Sequence, residues 1–174
     1  MNYHTTILEE KWIRASLSKL FCENCVHNMA SQYARAKFAY DYIVQNIRYD
    51  TDLANFSAYA ALVKKRAVCS ACAALLYRML LMLGIPCRII TGQARNEHHA
   101  WNLISIDGLW YNADVTWALC THATGAAYRY FLVGDNDFSE HQRNLEYMTP
   151  NFLRTYQTEF NSFRTRAVNG VKLP

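Results

Sequence analysis

CSACAALLYRMLLMLGIPCRIITG, residues 69–92, decides the fold class. Its first fifteen residues are almost wholly apolar, and Gly84, Ile85 and Pro86 close the run. A glycine just past the last turn with a proline beyond it is the expected stop of a helix. After Pro86 the apolar period falls from 3.6 to 2. CRIITG (87–92), AWNLISI (100–106) and LWYNADVTW (109–117) read as strands, with Asp107-Gly108 between the last two as a two-residue hairpin signal. YRYFLVG (128–134) reads as a fourth strand.

Upstream the spacing is helical. Leu8, Trp12, Ile13, Leu17, Leu20 and Phe21 repeat over about 7–21, and Tyr33, Ala34, Phe38, Tyr42, Ile43 and Ile47 over about 31–47, with Ser31 as N-cap. Residues 48–65 are mixed and read as irregular, apart from a short helix near 57–63. Beyond the strands, GDNDFSEH (134–141) is turn-rich, PNFLRTYQTEF (150–160) is a helix or a loop packed back on the sheet, and from 164 the chain is polar and reads as a loose tail. Helices first and strands after favour an α+β domain, N-terminal helices on an antiparallel sheet, over a doubly wound one.

A chain of 174 residues, 52% hydrophobic and 18% charged, is expected to form one domain over 1–174 whose core needs no metal or disulfide. The net charge of +4 is scattered, with Lys64, Lys65 and Arg66 the one run of three, so nucleic acid is not an expected partner. The longest stretch without a charged residue, Val115 to Tyr128, is too short for a bilayer, and the opening MNYHTTILEEKW has no secretory apolar segment. The expectation is a cytoplasmic protein with no membrane partner.

Cysteines 22, 25, 69, 72, 87 and 120 then read as reduced thiols. Two C-x-x-C pairs, Cys22/Cys25 and Cys69/Cys72, would need convergent turns to share zinc. The second pair opens an apolar helix and neither lies in a glycine-rich knuckle, so no metal and no cofactor is assigned. A small site on Cys22 and Cys25 with His27 stays open.

One constellation carries chemistry. Cys69 stands at the N-terminus of a buried helix, where unpaired backbone N–H groups favour a thiolate. His99 begins a strand. With Asp107-Gly108 as the turn, Ile106 faces Leu109 and His99 falls opposite about Thr116, within a diagonal of Asp114. That is a base oriented by a carboxylate, awaiting a nucleophile. Each residue alone has a plainer reading: a packed thiol, a satisfied histidine, a turn acid.

RAVCSACAALLYRMLLMLGIPCRIITG (66–92) followed by HAWNLISIDGLWYNADVTW (99–117) resembles the transglutaminase-like superfamily, relatives of papain-type thiol enzymes that include microbial peptidases, transglutaminases and peptide N-glycanases. AYDYIVQNIRYDT (39–51) resembles the helix and Tyr-Asp before the nucleophile, and YRYFLVGDNDFSEHQ (128–142) the strand, turn and His of bacterial members. The likeness covers about 33–142 and implies a small bacterial-type member with a papain-like core.

The resemblance places the nucleophile on Cys69, the histidine on His99, which Ala100, Trp101 and Asn102 follow, and the acid on Asp114. His98 is one place out of register. The usual Gly two residues before the nucleophile is Ala67, which fits unless that position needs a positive φ. Tyr49 is the candidate second oxyanion donor, Trp101 and Trp117 are candidate cleft walls, and Cys72, one turn from Cys69, is a candidate redox partner whose disulfide would switch the site off. The implied chemistry is cysteine-dependent amide hydrolysis of a protein or peptide, as a peptidase or deamidase. Amine acyl transfer on the same residues and a non-catalytic binding module are the alternatives. The chain has no acidic calcium-ligand cluster, against the large calcium-dependent cross-linking type. A C-x-x-C oxidoreductase would need a strand directly before the motif within a βαβ order, and the sequence reads otherwise.

Overall fold

The computed structural model describes residues 5–121 and 126–168. Helix α1 (Ile7–Glu23) starts in a capping box: the Thr6 hydroxyl accepts from Glu9 N and the Glu9 carboxylate accepts from Thr6 N. It buries Ile13, Leu17 and Phe21, while Leu8 and Trp12 stay at the surface. Helices α2 (Gln32–Asn46) and α3 (Ala58–Lys64) begin at Ser31 and Ser57, whose hydroxyls accept from Ala34 N and Ala60 N.

Residues 48–65 are more ordered than their composition suggests. Strands β1 (Arg48–Tyr49) and β2 (Arg66–Ala67) flank α3 and pair in parallel, Arg48 with Arg66 and Tyr49 with Ala67. Two-residue strands are below what periodicity can report. Helix α4 (Cys69–Met82) follows at once and ends as read, with Ile85 N donating to Leu80 O across Gly84.

The main sheet runs β5–β4–β3–β6, each pair antiparallel: β3 (Cys87–Ala94), β4 (Glu97–Ile106), β5 (Leu109–Ala113) and β6 (His141–Arg143). Asp107 and Gly108 both have positive φ, as a two-residue turn matching strand twist requires, and the register runs from Ile106–Leu109 to Asn102–Ala113 as the sequence implied. One sheet face gives Ile89, Ala100, Ile104 and Ile106 to the main core with α2, α3 and α4. The other gives Ile90, Trp101 and Leu103 to a second core closed by Tyr130, Val133 and Phe138. Alternation along each strand splits the two sets. The fold is α+β, helices first and a curled antiparallel sheet after.

Three readings need correction. The strand expected over 109–117 stops at Ala113, because Asp114 turns the chain into α5 (Val115–Thr121) by accepting from Thr116 N and Trp117 N at 3.0 Å each. Residues 128–134 form no strand: a 3₁₀ turn spans Ala127–Tyr130, Leu132 has φ 52, and Val133 makes an isolated bridge to Asn112. A bulky residue at positive φ breaks an extended run. The expected loose tail begins instead as helix α7 (Phe163–Val168), with Phe163 buried and stacked on Tyr33, ring centroids 5.0 Å apart; residues 169–174 lie outside the described residues. Within 150–160, Pro150–Thr155 is helix α6, and Phe152 and Tyr156 pack on the second core.

Candidate active site

Cys69 is the first residue of α4 and is partly exposed. No side chain caps this helix, since Val68 holds the N-cap position. The first-turn N–H groups are therefore open to a negative charge. The approach to Cys69 is fixed from behind: Asp50 N donates to Ala67 O and Val68 N to Asn55 O. The buried Asp50 carboxylate accepts from Ala54 N, Asn55 N and Asn55 Nδ2 at 2.7–2.9 Å and from Arg66. Those donors outweigh burial and hold the Asp50 carboxyl below its ordinary range. Ala67 lies in β2 and is not among the positive-φ residues, so its methyl group meets no backbone objection.

His99 is the third residue of β4, and its Nε2 lies 2.8 Å from Asp114 Oδ2. Burial of the ring disfavours its charge, but hydrogen bonds to Asp114 and to Cys69, reinforced by their charges, outweigh burial and push the imidazole up to about 9. With Nε2 committed to Asp114, Nδ1 is left for the thiol. Asp114 is fully buried. Burial works to raise its carboxyl, and hydrogen bonds from His141 and His99 reverse this, holding it below the usual carboxylate range.

His141, on β6, is the histidine of the 128–142 stretch that resembles bacterial members, and the sequence alone assigns it no role. Its Nε2 stands 2.9 Å from the same Oδ2. Its stretch was noted, but no local spacing links β6 to β4, because β3 lies between them. Parity over the two ladders, Ala94 with Glu97 and Ala94 with His141, puts both histidines on one sheet face.

The remaining candidates fall at different depths. Trp117 is half-buried on α5, its ring 5.8 Å from His99 and covered by the Arg95 guanidinium at 4.7 Å. Trp101 is 1% exposed. It packs behind the imidazole and cannot wall an open cleft. Tyr49 is half-buried beside β2, its phenol raised first by burial and then by the charge of Cys69. Cys72 faces the core, fully buried, and burial drives its thiol well up.

His99, Asp114 and His141 offer three ligand atoms within 4.8 Å of one another. Both ring nitrogens already sit at hydrogen-bond distance from one carboxylate oxygen, and Asp114 and His141 are closed from solvent. A catalytic metal would need an open coordination position there. The two C-x-x-C pairs form no such group among the described residues; Cys22 and Cys25 are exposed free thiols at the end of α1.

The family model described as the transglutaminase-like superfamily matches residues 19–115, more than half of the chain and all of Cys69, His99 and Asp114. The chain belongs to the transglutaminase-like superfamily. No curated protein matches it. Among solved structures, a TGase superposes at TM-score 0.57 with 19% identity over 66% of this chain, and a proposed cysteine protease from Cytophaga hutchinsonii at TM-score 0.51 with 26% identity over 62%. This superfamily member spans 34% and 37% of those two chains. Among the described residues no helix is long and apolar enough to cross a membrane.

Proposed function

We propose that the chain catalyses cysteine-dependent hydrolysis of amide bonds in a protein or peptide, as a peptidase or protein deamidase, with Cys69 as nucleophile, His99 as acid–base and Asp114 as the carboxylate that orients it. One observation carries this reading. The His99 ring is hydrogen-bonded at Nε2 to a buried carboxylate, and the Cys69 thiol, at an uncapped helix N-terminus, helps to raise the imidazole. Membership of a superfamily that includes thiol enzymes supports it.

The chemistry follows from the groups. His99 holds the thiol proton, and the Cys69 sulfur attacks the substrate carbonyl carbon. The oxyanion that forms is met by the Cys69 backbone N–H at the helix terminus and by the Tyr49 hydroxyl, which its environment keeps protonated. The C–N bond breaks as the His99 proton passes to the leaving nitrogen, and an acyl-thioester remains. Water, losing a proton to His99, attacks the thioester and restores the thiol pair. An amine in place of water gives acyl transfer, the second reading.

The test is iodoacetamide alkylation of the purified protein across pH, with each modified cysteine located by mass spectrometry, beside release of amine or ammonia from peptide and glutamine substrates. Fast modification of Cys69 at about pH 6 that His99→Ala abolishes, with hydrolysis that Cys69→Ala abolishes, is the expected result. A Cys69 that reacts only as an ordinary thiol, near pKa 8.5, sinks the reading and favours a binding role.

A further inference from the structure

We propose that His141 is a positioning residue of this site, a fixed second imidazole that locks the Asp114 carboxylate so that it orients His99. The inference rests on the reading of Cys69, His99 and Asp114 given above. Asp114 Oδ1 accepts from Thr116 N and Trp117 N, and Oδ2 accepts from His99 Nε2 at 2.8 Å and His141 Nε2 at 2.9 Å. Four donors fill the capacity of a carboxylate. Rotation about its C–C bond would break all four at once.

The two imidazoles on Oδ2 are not equivalent. The His99 ring is also raised by the Cys69 thiol, which ties it to the proposed nucleophile. The His141 side chain is 1% exposed, and its Nδ1 is buried with no hydrogen-bond partner. A hydrogen on Nδ1 would be a buried donor without an acceptor, a costly arrangement. His141 therefore carries its hydrogen on Nε2, aimed at Asp114, and has no route for passing a proton on. Aromatic rings clamp it in that pose: Phe138 stacks at 3.7 Å and 12°, Trp117 lies at 4.4 Å, and Trp101 meets it edge-on at 5.2 Å. Glycine at position 92, opposite both His99 and Arg143, leaves room for β6 to come this close.

A carboxylate with four donors is a weak base and leaves the shared proton on His99. Without His141, one lone pair of Oδ2 would face a dry pocket; the carboxyl would become more basic and lose its charge at higher pH. The other titratable groups around it are Cys69 through His99, and Cys72, Cys120 and Tyr40, whose own shifts include the Asp114 charge.

The test compares the pH profile of Cys69 alkylation in the wild type, His141→Phe, which keeps a ring but no donor, and His141→Gln, which keeps an N–H near the Nε2 position. In His141→Phe the acid limb moves up by about one pH unit, so that alkylation on that limb falls about tenfold, and His141→Gln restores most of it. Packing alone would not move a pH limb. A His141→Phe profile that overlays the wild type overturns the inference, as does a folded His141→Gln variant no better than Phe. Should His141→Phe not fold, ¹⁵N-resolved NMR of the wild-type ring decides: the Nε2–H tautomer is expected, and an Nδ1–H tautomer overturns the assignment. A wild-type Cys69 with ordinary thiol behaviour ends the functional reading itself, and the role of His141 with it; an intact wild-type profile with an unaltered His141→Phe ends the inference alone.

Discussion

His99 Nε2 and Asp114 Oδ2 meet 2.8 Å apart beyond the last rung of the β4–β5 ladder, which closes at Asn102–Ala113. The backbone pairing stops before either residue, so side chains continue what the ladder began. Asp114 serves two structures at once. One oxygen starts α5 by receiving Thr116 N and Trp117 N, and the other receives the imidazole. A carboxylate fixed by a helix N-terminus on one side presents the opposite oxygen in a defined direction.

The His99 charge makes stability depend on pH in a stated direction. Its value rises from an unfolded 6.5 to about 9. A raised cationic group stabilises the fold fully below the unfolded value, and that contribution is lost as pH climbs through about 9. The change is on the order of 3 kcal/mol. Asp114 is lowered, so its contribution is present above about 4, the ordinary carboxylate value, and is lost as pH falls through its folded value. Thermal melts are therefore expected to peak between about pH 4 and 6.5 and to decline toward pH 9. His99→Ala should flatten the alkaline decline; Cys69→Ala should shrink it without removing it, because the Asp114 bond remains.

Asp114→Asn tests the acid from another side. If the amide oxygen keeps Thr116 and Trp117, the NH₂ group faces the ring N–H groups of His99 and His141, donor against donor. The expected cost is about 3 kcal/mol in urea unfolding, as for breaking one partner of a buried pair. Hydrolysis should fall by about a thousandfold or more. A variant with wild-type stability and activity would show that Asp114 neither charges nor orients His99.

Much of this was legible in the sequence, for reasons that differ by element. Helix α4 and its stop were readable because Gly84 and Pro86 punctuate a long apolar run, and the Asp107-Gly108 turn set the register that brings His99 toward Asp114. Position 114 was found while its local structure was missed: apolar alternation through LWYNADVTW continues past the point where an aspartate cap overrides it. Leu132 could not be foreseen at positive φ, because tertiary contacts alone select that conformation for leucine. The role of His141 escaped because its relation to Asp114 crosses three strand pairings, with β3 and β4 lying between β6 and β5. Periodicity reports faces within one element and is silent on which distant strand borders it.

The six cysteines should sort into three classes of reactivity. Cys22, Cys25 and Cys120 are exposed, lie outside the His99 site and are expected to be modified more slowly than Cys69 at pH 6, Cys120 with its thiol raised by burial. Cys72 and Cys87 are buried, with burial holding both thiols up, and should stay unmodified until the chain unfolds. Cys69 should stand apart through rapid modification at pH 6. Oxidation to a Cys69–Cys72 disulfide, read by mass spectrometry under non-reducing conditions, would require the buried Cys72 to open first. It is therefore expected to be slow and to accelerate in mild denaturant.

Gly92→Ala ties the fold to the site. A Cβ at this position would lie 2.0 Å from Gln142 O, 2.9 Å from the Trp101 ring and 3.0 Å from Arg143 Cα. Two of these three atoms are β6 backbone, which cannot rotate aside, so the strand must shift to admit the methyl group. Overpacking of this kind costs about 1–3 kcal/mol, or a fall in Tm of roughly 5 °C for a chain of this size. Because His141 rides on β6, the shift also withdraws Nε2 from Asp114, and the acid limb of Cys69 alkylation should move in the same direction as in His141→Phe. Gly108→Ala supplies the contrast. Nothing lies within 4 Å of its Cβ position, and its cost comes from a φ of +84 in the hairpin turn. It should lower Tm by a comparable amount and leave the alkylation profile in place. Equal effects of the two variants on that profile would mean that Gly92 matters only for global stability, and that the distance between β3 and β6 does not set the geometry of Asp114.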